Sequence, residues 1–318
     1  MPRTRIFYAT DIHGSERCFV KFINAGPFYK ADAIIIGGDI TGKYFVPIVE
    51  QPDGSFKTTF LGKDYALRPG KELDDLERRI HAMGCYAYRT NPSGVEDLRN
   101  NPGKSEKIFE MLITESLRKL LKYAEQKLKG TKIQCYVSPG NDDAFFVDTI
   151  LSESDTVVYP EGKVVEIDKY HEMISSGYAK ITPWKCTRDI PEDELLKKVE
   201  DMAAKLKNPS QSIFNLHCPP YGTMIDNAPV LDENLKPKTA ASGGLQMAPA
   251  GSKSIRGAID KFQPLLGLHG HIHESKGFFK VGRTICVNPG SEYTEGLLRG
   301  FLLELTEDKV KDYLFVSG

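Results

Sequence analysis

Short apolar runs recur along the chain, and each gives way to a polar loop that opens on a carboxylate, amide or imidazole. Arg5-Ile-Phe-Tyr-Ala-Thr10 is β-branched and aromatic and predicts a buried strand. It ends at Asp11-Ile-His-Gly14, where Ser15 can cap a helix carrying Cys18 to Ala25, with Phe19, Phe22 and Ile23 on its apolar side. A second run, Ala33-Ile-Ile-Ile36, is too short for a helix and stops at Gly37-Gly38-Asp39. Strand, helix, strand in this span is a βαβ unit, which implies parallel strands and a right-handed crossover. Ligands of open α/β sheets bind at the carboxyl ends of the strands, where these carboxylates fall.

Residues 43–131 interrupt the pattern. A hairpin is expected over 43–65 around the turn Pro52-Asp53-Gly54-Ser55, then a charged helix over Lys71–Met83. A longer helix is expected over Ser105–Lys129, capped by Ser105 and apolar at Ile108, Leu112, Leu117, Leu120, Leu121, Ala124 and Leu128. We read 43–131 as an inserted hairpin and helical cap over the sheet edge, within a single domain spanning 1–318. The sheet resumes at Ile133–Val137, ending at Pro139-Gly-Asn-Asp-Asp143. Short strands are expected over 157–159, 164–167, 173–175 and 212–216, the last ending at His217-Cys-Pro-Pro220, with an amphipathic helix over 191–206. Tyr221–Gly251 is a long Pro- and Gly-rich loop with little regular pattern. A helix from Ser252 to Phe262 leads to Pro264–Leu268 and His269-Gly-His-Ile-His273, and strands near 278–281, 284–287, 300–305 and 310–316 close the chain.

Composition narrows the class. With 42 Lys+Arg against 43 Asp+Glu the net charge is −1, which provides no global positive field for coating nucleic acid or anionic membrane. Cys18, Cys85, Cys135, Cys186, Cys218 and Cys286 form no CxxC pair, so reduced thiols are expected, not a disulfide scaffold or thiolate zinc site. No run approaches the roughly 18 apolar residues of a membrane span, and the charged start leaves no room for a signal peptide's apolar stretch. A cytoplasmic location is the expectation.

The chemistry lies at the strand ends. Asp11 and His13, Asp39, Asn141, His217, and His271 with His273 are all metal-ligating types, a mixed set that suits Mn, Fe, Zn or Ni better than Ca. In Asp11-x-His13 and His271-x-His273 the side chains two apart on an extended segment point the same way. Seven ligands exceed one tetrahedral ion and suffice for two if a carboxylate bridges. Of the seven histidines in the chain, five lie in these segments.

The ordered set Asp11-x-His13, Gly38-Asp39, Gly140-Asn141, His217 and Gly270-His271-x-His273 resembles the calcineurin-like metallophosphoesterase superfamily, and Asn288-Pro-Gly-Ser291 is similar to the loop that follows its last histidine motif. The resemblance implies a four-layer αββα sandwich of two mixed sheets flanked by helices. It implies one ion on Asp11, His13, Asp39 and His273, a second on Asn141, His217 and His271, and Asp39 bridging; of the divalent ions this donor set suits, Mn or Fe is favoured for both. The implied activity is hydrolysis of a small phosphate ester by a hydroxide bridging the two ions. The rival readings are a metal-poor protein-binding scaffold of the same fold and a nuclease acting on long DNA. One position departs from the family: Gly140-Asn-Asp-Asp143 carries Asp142 where the family has the histidine that contacts phosphate or leaving group, and Asp143 at the acidic residue supporting it. An ionised Asp142 would cancel the cluster's residual positive charge, which favours phosphodiesters or activated esters. The insertion and the 221–251 loop are expected to border the cleft and govern which substrates enter.

Overall fold

The computed structural model describes residues 3–240 and 243–318, and its first half begins with strand β1 (Thr4–Ala9), helix α1 (Glu16–Tyr29) and strand β2 (Ala33–Ile36). Ser15 caps α1, its side chain accepting from the Cys18 amide, and the helix runs four residues past the expected end, through Pro27, until Lys30 closes it in the left-handed conformation. The insertion follows as β3 (Phe45–Glu50), β4 (Phe56–Phe60), β5 (Lys63–Leu67), α2 (Lys71–Ala82), β6 (Tyr86–Thr90), α3 (Pro92–Asn100) and α4 (Pro102–Leu128). Next come β7 (Gln134–Val137), α5 (Phe146–Ser152), β8 (Val157–Val158), β9 (Val164–Glu166), β10 (Glu172–Ser176), β11 (Ala179–Lys180), β12 (Asp189–Ile190), α6 (Glu192–Ala203) and β13 (Ile213–Leu216). The chain ends with β14 (Asn227–Pro229), β15 (Met247–Pro249), α7 (Lys253–Phe262), β16 (Leu266–Leu268), β17 (Gly277–Val281), β18 (Thr284–Asn288), β19 (Arg299–Thr306) and β20 (Lys309–Ser317).

Two six-stranded mixed sheets form the frame, in the orders β20-β19-β1-β2-β7-β8 and β17-β18-β16-β13-β10-β9. In each, four neighbouring strands run parallel: β1, β2, β7 and β8 in one, β10, β13, β16 and β18 in the other. Side-chain alternation builds the layers. Ile6, Tyr8, Ala33, Ile35 and Phe301 face the second sheet, meeting Met173, Ile213 and Leu266. Phe7, Ala9, Ile34 and Ile36 face the other way, onto α1 and α4. On the far side, Phe214 and Leu216 pack under Leu195 and Val199 of α6 and Ile255 and Ile259 of α7. The four-layer αββα sandwich follows.

The insertion departs from the sequence reading in three places. It carries its own sheet, β5-β4-β3-β6, around Val46, Ile48, Phe56, Phe60, Leu73, Leu76 and Ile80. Asn91-Pro92 starts an unexpected helix, α3, because the Asn91 side chain accepts from the Gly94 amide and Pro92 fits the first helical position. Helix α4 begins at Pro102, not at a Ser105 cap, and its stripe Ile113, Leu117, Leu120, Leu121 packs with α1 on the first sheet, so it serves the sandwich and not the cap. Within the 221–251 loop, β14 and β15 pair as a short antiparallel ribbon. All six cysteines are free, and no described helix is long and apolar enough to cross a membrane.

Glu161 shows how burial tunes this frame. Burial, opposed by the Gly177 amide that donates to it at 2.7 Å, pushes its carboxyl up to about 7. Because the folded pKa lies above the unfolded value, the folded state binds the extra proton between roughly pH 4.5 and 7, and stability falls as pH rises through that window. Glu161→Gln should flatten this fall, leaving the variant more stable at pH 8 by about 1–2 kcal/mol and no different below pH 4. Denaturant melts across pH check it; a parallel pair of curves counts against the assignment.

Candidate metal centre

Loops leaving the carboxyl ends of β1, β2 and β7 in one sheet meet those leaving β13 and β16 in the other. The first two run side by side: the amides of Asp11, His13 and Gly14 donate to the carbonyls of Gly38, Asp39 and Ile40 at 3.0, 2.9 and 2.9 Å. Aiming these side chains inward places Asp11, His13, Asp39 and His271 in the left-handed backbone region, at φ of 53°, 40°, 48° and 67°. Such conformations cost on the order of 1–3 kcal/mol each and collect at functional sites. Bare backbone lets the carboxylates close in: a Cβ on Gly140 would lie 2.1 Å from Asp39 Oδ1, and one on Gly270 2.3 Å from Asp11 Oδ2.

All seven strand-end side chains converge. Asp11, His13 and His273 form one group of donor atoms within ligation range of each other, Asp11, Asp39 and His217 a second, and His13, Asp39 and Asp142 a third. Asp11 and Asp39 each belong to two of these. His13 Nε2 and His273 Nε2 face each other at 3.0 Å. His217 Nε2 lies 3.4 Å from Asp39 Oδ1 and 3.8 Å from Asp11 Oδ1. His271 Nδ1 is 2.9 Å from Asn141 Oδ1, and the His271 amide donates to both Asp11 oxygens at 3.1 Å.

The arrangement has the electrostatics of a cation site. His217 Nδ1 is held by the Gly37 carbonyl at 3.1 Å, and its buried Nε2 has no hydrogen-bond partner. A bare imidazole nitrogen aimed at two carboxylates is repulsive unless a positive charge lies between them. Without a metal a proton takes that role: burial opposes it, yet Asp39 and Asp11 push the His217 pKa up to about 10. Burial would likewise raise Asp11, but His217 and His273 bring it down to about 2. Burial drops His13 and His271 to about 4, leaving their rings neutral and able to ligate. The donors present fit divalent ions of the Mn, Fe, Zn and Ni group.

No family model matches the chain. An uncharacterized protein of Methanocaldococcus jannaschii is 32% identical over 154 residues, 48% of this chain and 61% of that protein. A crystal structure at 18% identity superposes with a TM-score of 0.56 over 98% of each chain. The Thermus thermophilus protein TT1561, at 14% identity, superposes with a TM-score of 0.53 over 100% of this chain and 99% of its own. An archaeal phosphodiesterase matches more loosely, at 11% identity and a TM-score of 0.39 over 99% of this chain and 100% of its own. The two superpositions above 0.5 show that the chain shares its overall fold with those structures.

Within this fold, the loop Asn288-Pro-Gly-Ser291 buckles two motifs together. The Asn288 side chain donates to the Ile272 carbonyl at 2.9 Å, and Ser291 Oγ donates to the Asp11 carbonyl at 2.6 Å. Tyr293 lays its ring 4.7 Å from that of His13. His269, counted with the other histidines in the sequence reading, turns into the core and bonds the Leu216 carbonyl at 2.7 Å. Asp143 is fully buried and accepts from the amides of Ile40, Thr41 and Gly140 and the Thr41 hydroxyl, so it ties the β2 and β7 loops together. Asp142 does line the cleft, but not as a bare charge: Lys43 Nζ sits 2.7 Å from its Oδ2, and Cys186 Sγ donates to its Oδ1 at 2.8 Å. Burial would lower the Lys43 pKa, and the Asp142 carboxylate more than offsets it, so the ammonium stays charged. The cancellation of charge expected from Asp142 is therefore itself compensated.

Sequence reasoning missed Lys43, Arg188 and Asp189. Asp189 Oδ1 accepts from Asn141 Nδ2 at 2.9 Å and so turns the Asn141 oxygen toward the cluster. Arg188, buried, donates to the Asp143 and Ala144 carbonyls and pairs with Asp148, while its amide donates to the Asn141 carbonyl at 3.1 Å. No motif marks either residue; only their contacts do. Partners that orient a ligand are worth about 10–100-fold in metal affinity. Asp189→Asn, which keeps the volume, should weaken divalent-metal binding at this cluster by that factor in equilibrium dialysis. Unchanged affinity would remove the positioning role.

Proposed function

We propose that the chain is a dinuclear metal-dependent phosphoesterase acting on a small phosphate ester. The observation that carries it is the buried Asp/His cluster, in which Asp11 and Asp39 are each shared between two donor groups. Within it the His13 and His273 ring nitrogens face one another, and His217 Nε2 stands without a partner. Asp11, His13, Asp39 and His273 would hold one ion, and Asn141, His217 and His271 the other, with Asp39 common to both. When bound, two divalent ions supply a hydroxide at neutral pH and neutralise charge on the phosphoryl oxygens. The chain's own residues do the rest. Asp189 and the Gly37 carbonyl fix the orientation of Asn141 and the tautomer of His217, while the glycine-lined loops keep bulk away from the carboxylates. Lys43 adds a charged donor beside the cluster that can bind a phosphoryl oxygen. Since Lys43 offsets Asp142, monoesters and diesters both remain open to this site.

A turnover screen of phosphomonoesters and phosphodiesters, run separately with Mn²⁺, Fe²⁺, Zn²⁺ and Ni²⁺, tests the reading. Metal-stimulated release of phosphate or alcohol is the expected result. Two ions bound with no hydrolysis of any ester would overturn it.

A further inference from the structure

The metal cluster occupies one end of a cleft of about 910 Å³, near the upper limit of the roughly 300–1,000 Å³ found for pockets that hold whole small molecules. A phosphate fills only a corner of it. The remainder is lined by Ile181, Pro183 and Trp184 from the segment between β11 and β12 and by Pro229, Leu231 and Leu235 from the 221–251 loop. Trp184 is 62% exposed, Ile181 58% and Leu235 44%, in a molecule whose other large apolar side chains are mostly buried. Apolar surface gathered on one cleft marks a binding surface.

The tryptophan is also tied to the metal cluster. Asp189, whose Oδ1 orients Asn141, accepts through Oδ2 from the Thr182 amide and hydroxyl at 2.9 and 2.5 Å and from the Cys186 amide at 3.0 Å. One carboxylate thus braces both a proposed ligand and the turn that presents Trp184. At the mouth, Asp232, Glu233 and Glu274 face the cleft with Lys43 and Lys180. Those acids would repel the successive phosphates of a polynucleotide.

Resting on the phosphoesterase reading above, we propose that the substrate is a single-phosphate ester whose alcohol carries a planar aromatic group, stacked on the Trp184 indole among these apolar residues. Aromatic stacking adds selectivity beyond the area it buries.

Trp184 is the sole tryptophan of the chain, so its fluorescence reports directly on this arm. The metal-loaded protein is titrated with three uncleavable probes: phenylphosphonate, hexylphosphonate and methylphosphonate. Phenylphosphonate should quench saturably and bind about 10-fold tighter than the other two. In calorimetry, Trp184→Phe should keep that preference and Trp184→Ala should lose it. Equal affinity for phenyl and methyl probes, a preference for hexyl, or a preference that survives in Trp184→Ala overturns the inference. Parallel turnover of phenyl and methyl phosphate esters separates the two readings. Quenching by phenylphosphonate with no ester hydrolysed sinks the phosphoesterase reading alone, whereas hydrolysis with no aryl preference sinks only the aromatic one. Adenosine, added without phosphate, tells a nucleobase from a simple aryl ring: competition with phenylphosphonate supports the aromatic arm, and hydrolysis of aryl esters with no competition restricts it to aryl groups joined directly to the phosphoryl end.

Discussion

Asp39→Asn is expected to release both ions and to lower kcat by roughly 10³-fold or more. Asp39 Oδ1 lies 3.4 Å from His217 and Oδ2 3.6 Å from His13, so one carboxylate serves two donor groups. Charge stabilisation by metal is worth several kcal/mol in phosphoryl transfer, and each 1.36 kcal/mol is a factor of ten in rate. The amide keeps the side chain's volume, and its oxygen can still accept from the Asp142 amide, which donates to Oδ1 at 3.1 Å. Folding should therefore survive. A readout without turnover comes from thermal melts: metal at about 100 times its Kd stabilises the wild type by about 2.7 kcal/mol per ion, and the variant should show no such gain. Two ions per chain recovered from Asp39→Asn by elemental analysis would refute the bridging role.

The second large effect is expected at Lys43. Its ammonium offsets Asp142 at 2.7 Å on the edge of the cleft, and the two side chains are 47% and 26% exposed. A unit charge near 4 Å is worth about 4 kcal/mol at an effective dielectric of 20, less here because water screens both groups. Lys43→Met should therefore lower kcat/KM for a dianionic monoester by about 10–100-fold, and for a monoanionic diester by less. The double variant Lys43→Met, Asp142→Ala removes the stranded negative charge and should recover most of the loss. Asp142→His on its own should raise monoester activity relative to diester activity, since it replaces a negative charge with a potential proton donor. If Lys43→Met leaves the monoester-to-diester ratio where it was, the pair does not face the phosphoryl group.

The boundary between what was legible in sequence and what was not follows the range of the interactions. Strands β1 and β2, the Ser15 cap and the polar strand ends could be read because they depend on local rules: an apolar run too short for a helix, a hydroxyl three residues before a free amide, a carboxylate where a strand stops. The family resemblance added the sandwich and the ligand order, since it encodes contacts between segments far apart in the chain. What no local rule contains is which distant group stands beside a given side chain. Asp142 and Asp143 are neighbours of one type, yet one lines the cleft against Lys43, ninety-nine positions earlier, and the other is sealed by the β2 loop. Asp189 and Trp184 gained their places from a small turn folded under the Asn141 loop, with no spacing to announce it. Local chemistry along the chain was enough to specify the strands and their chemistry-bearing ends. Which charges cancel, which carboxylates are shared, and that the cleft carries an aromatic wall were settled only by folding, because long-range packing and burial set those and chain order does not.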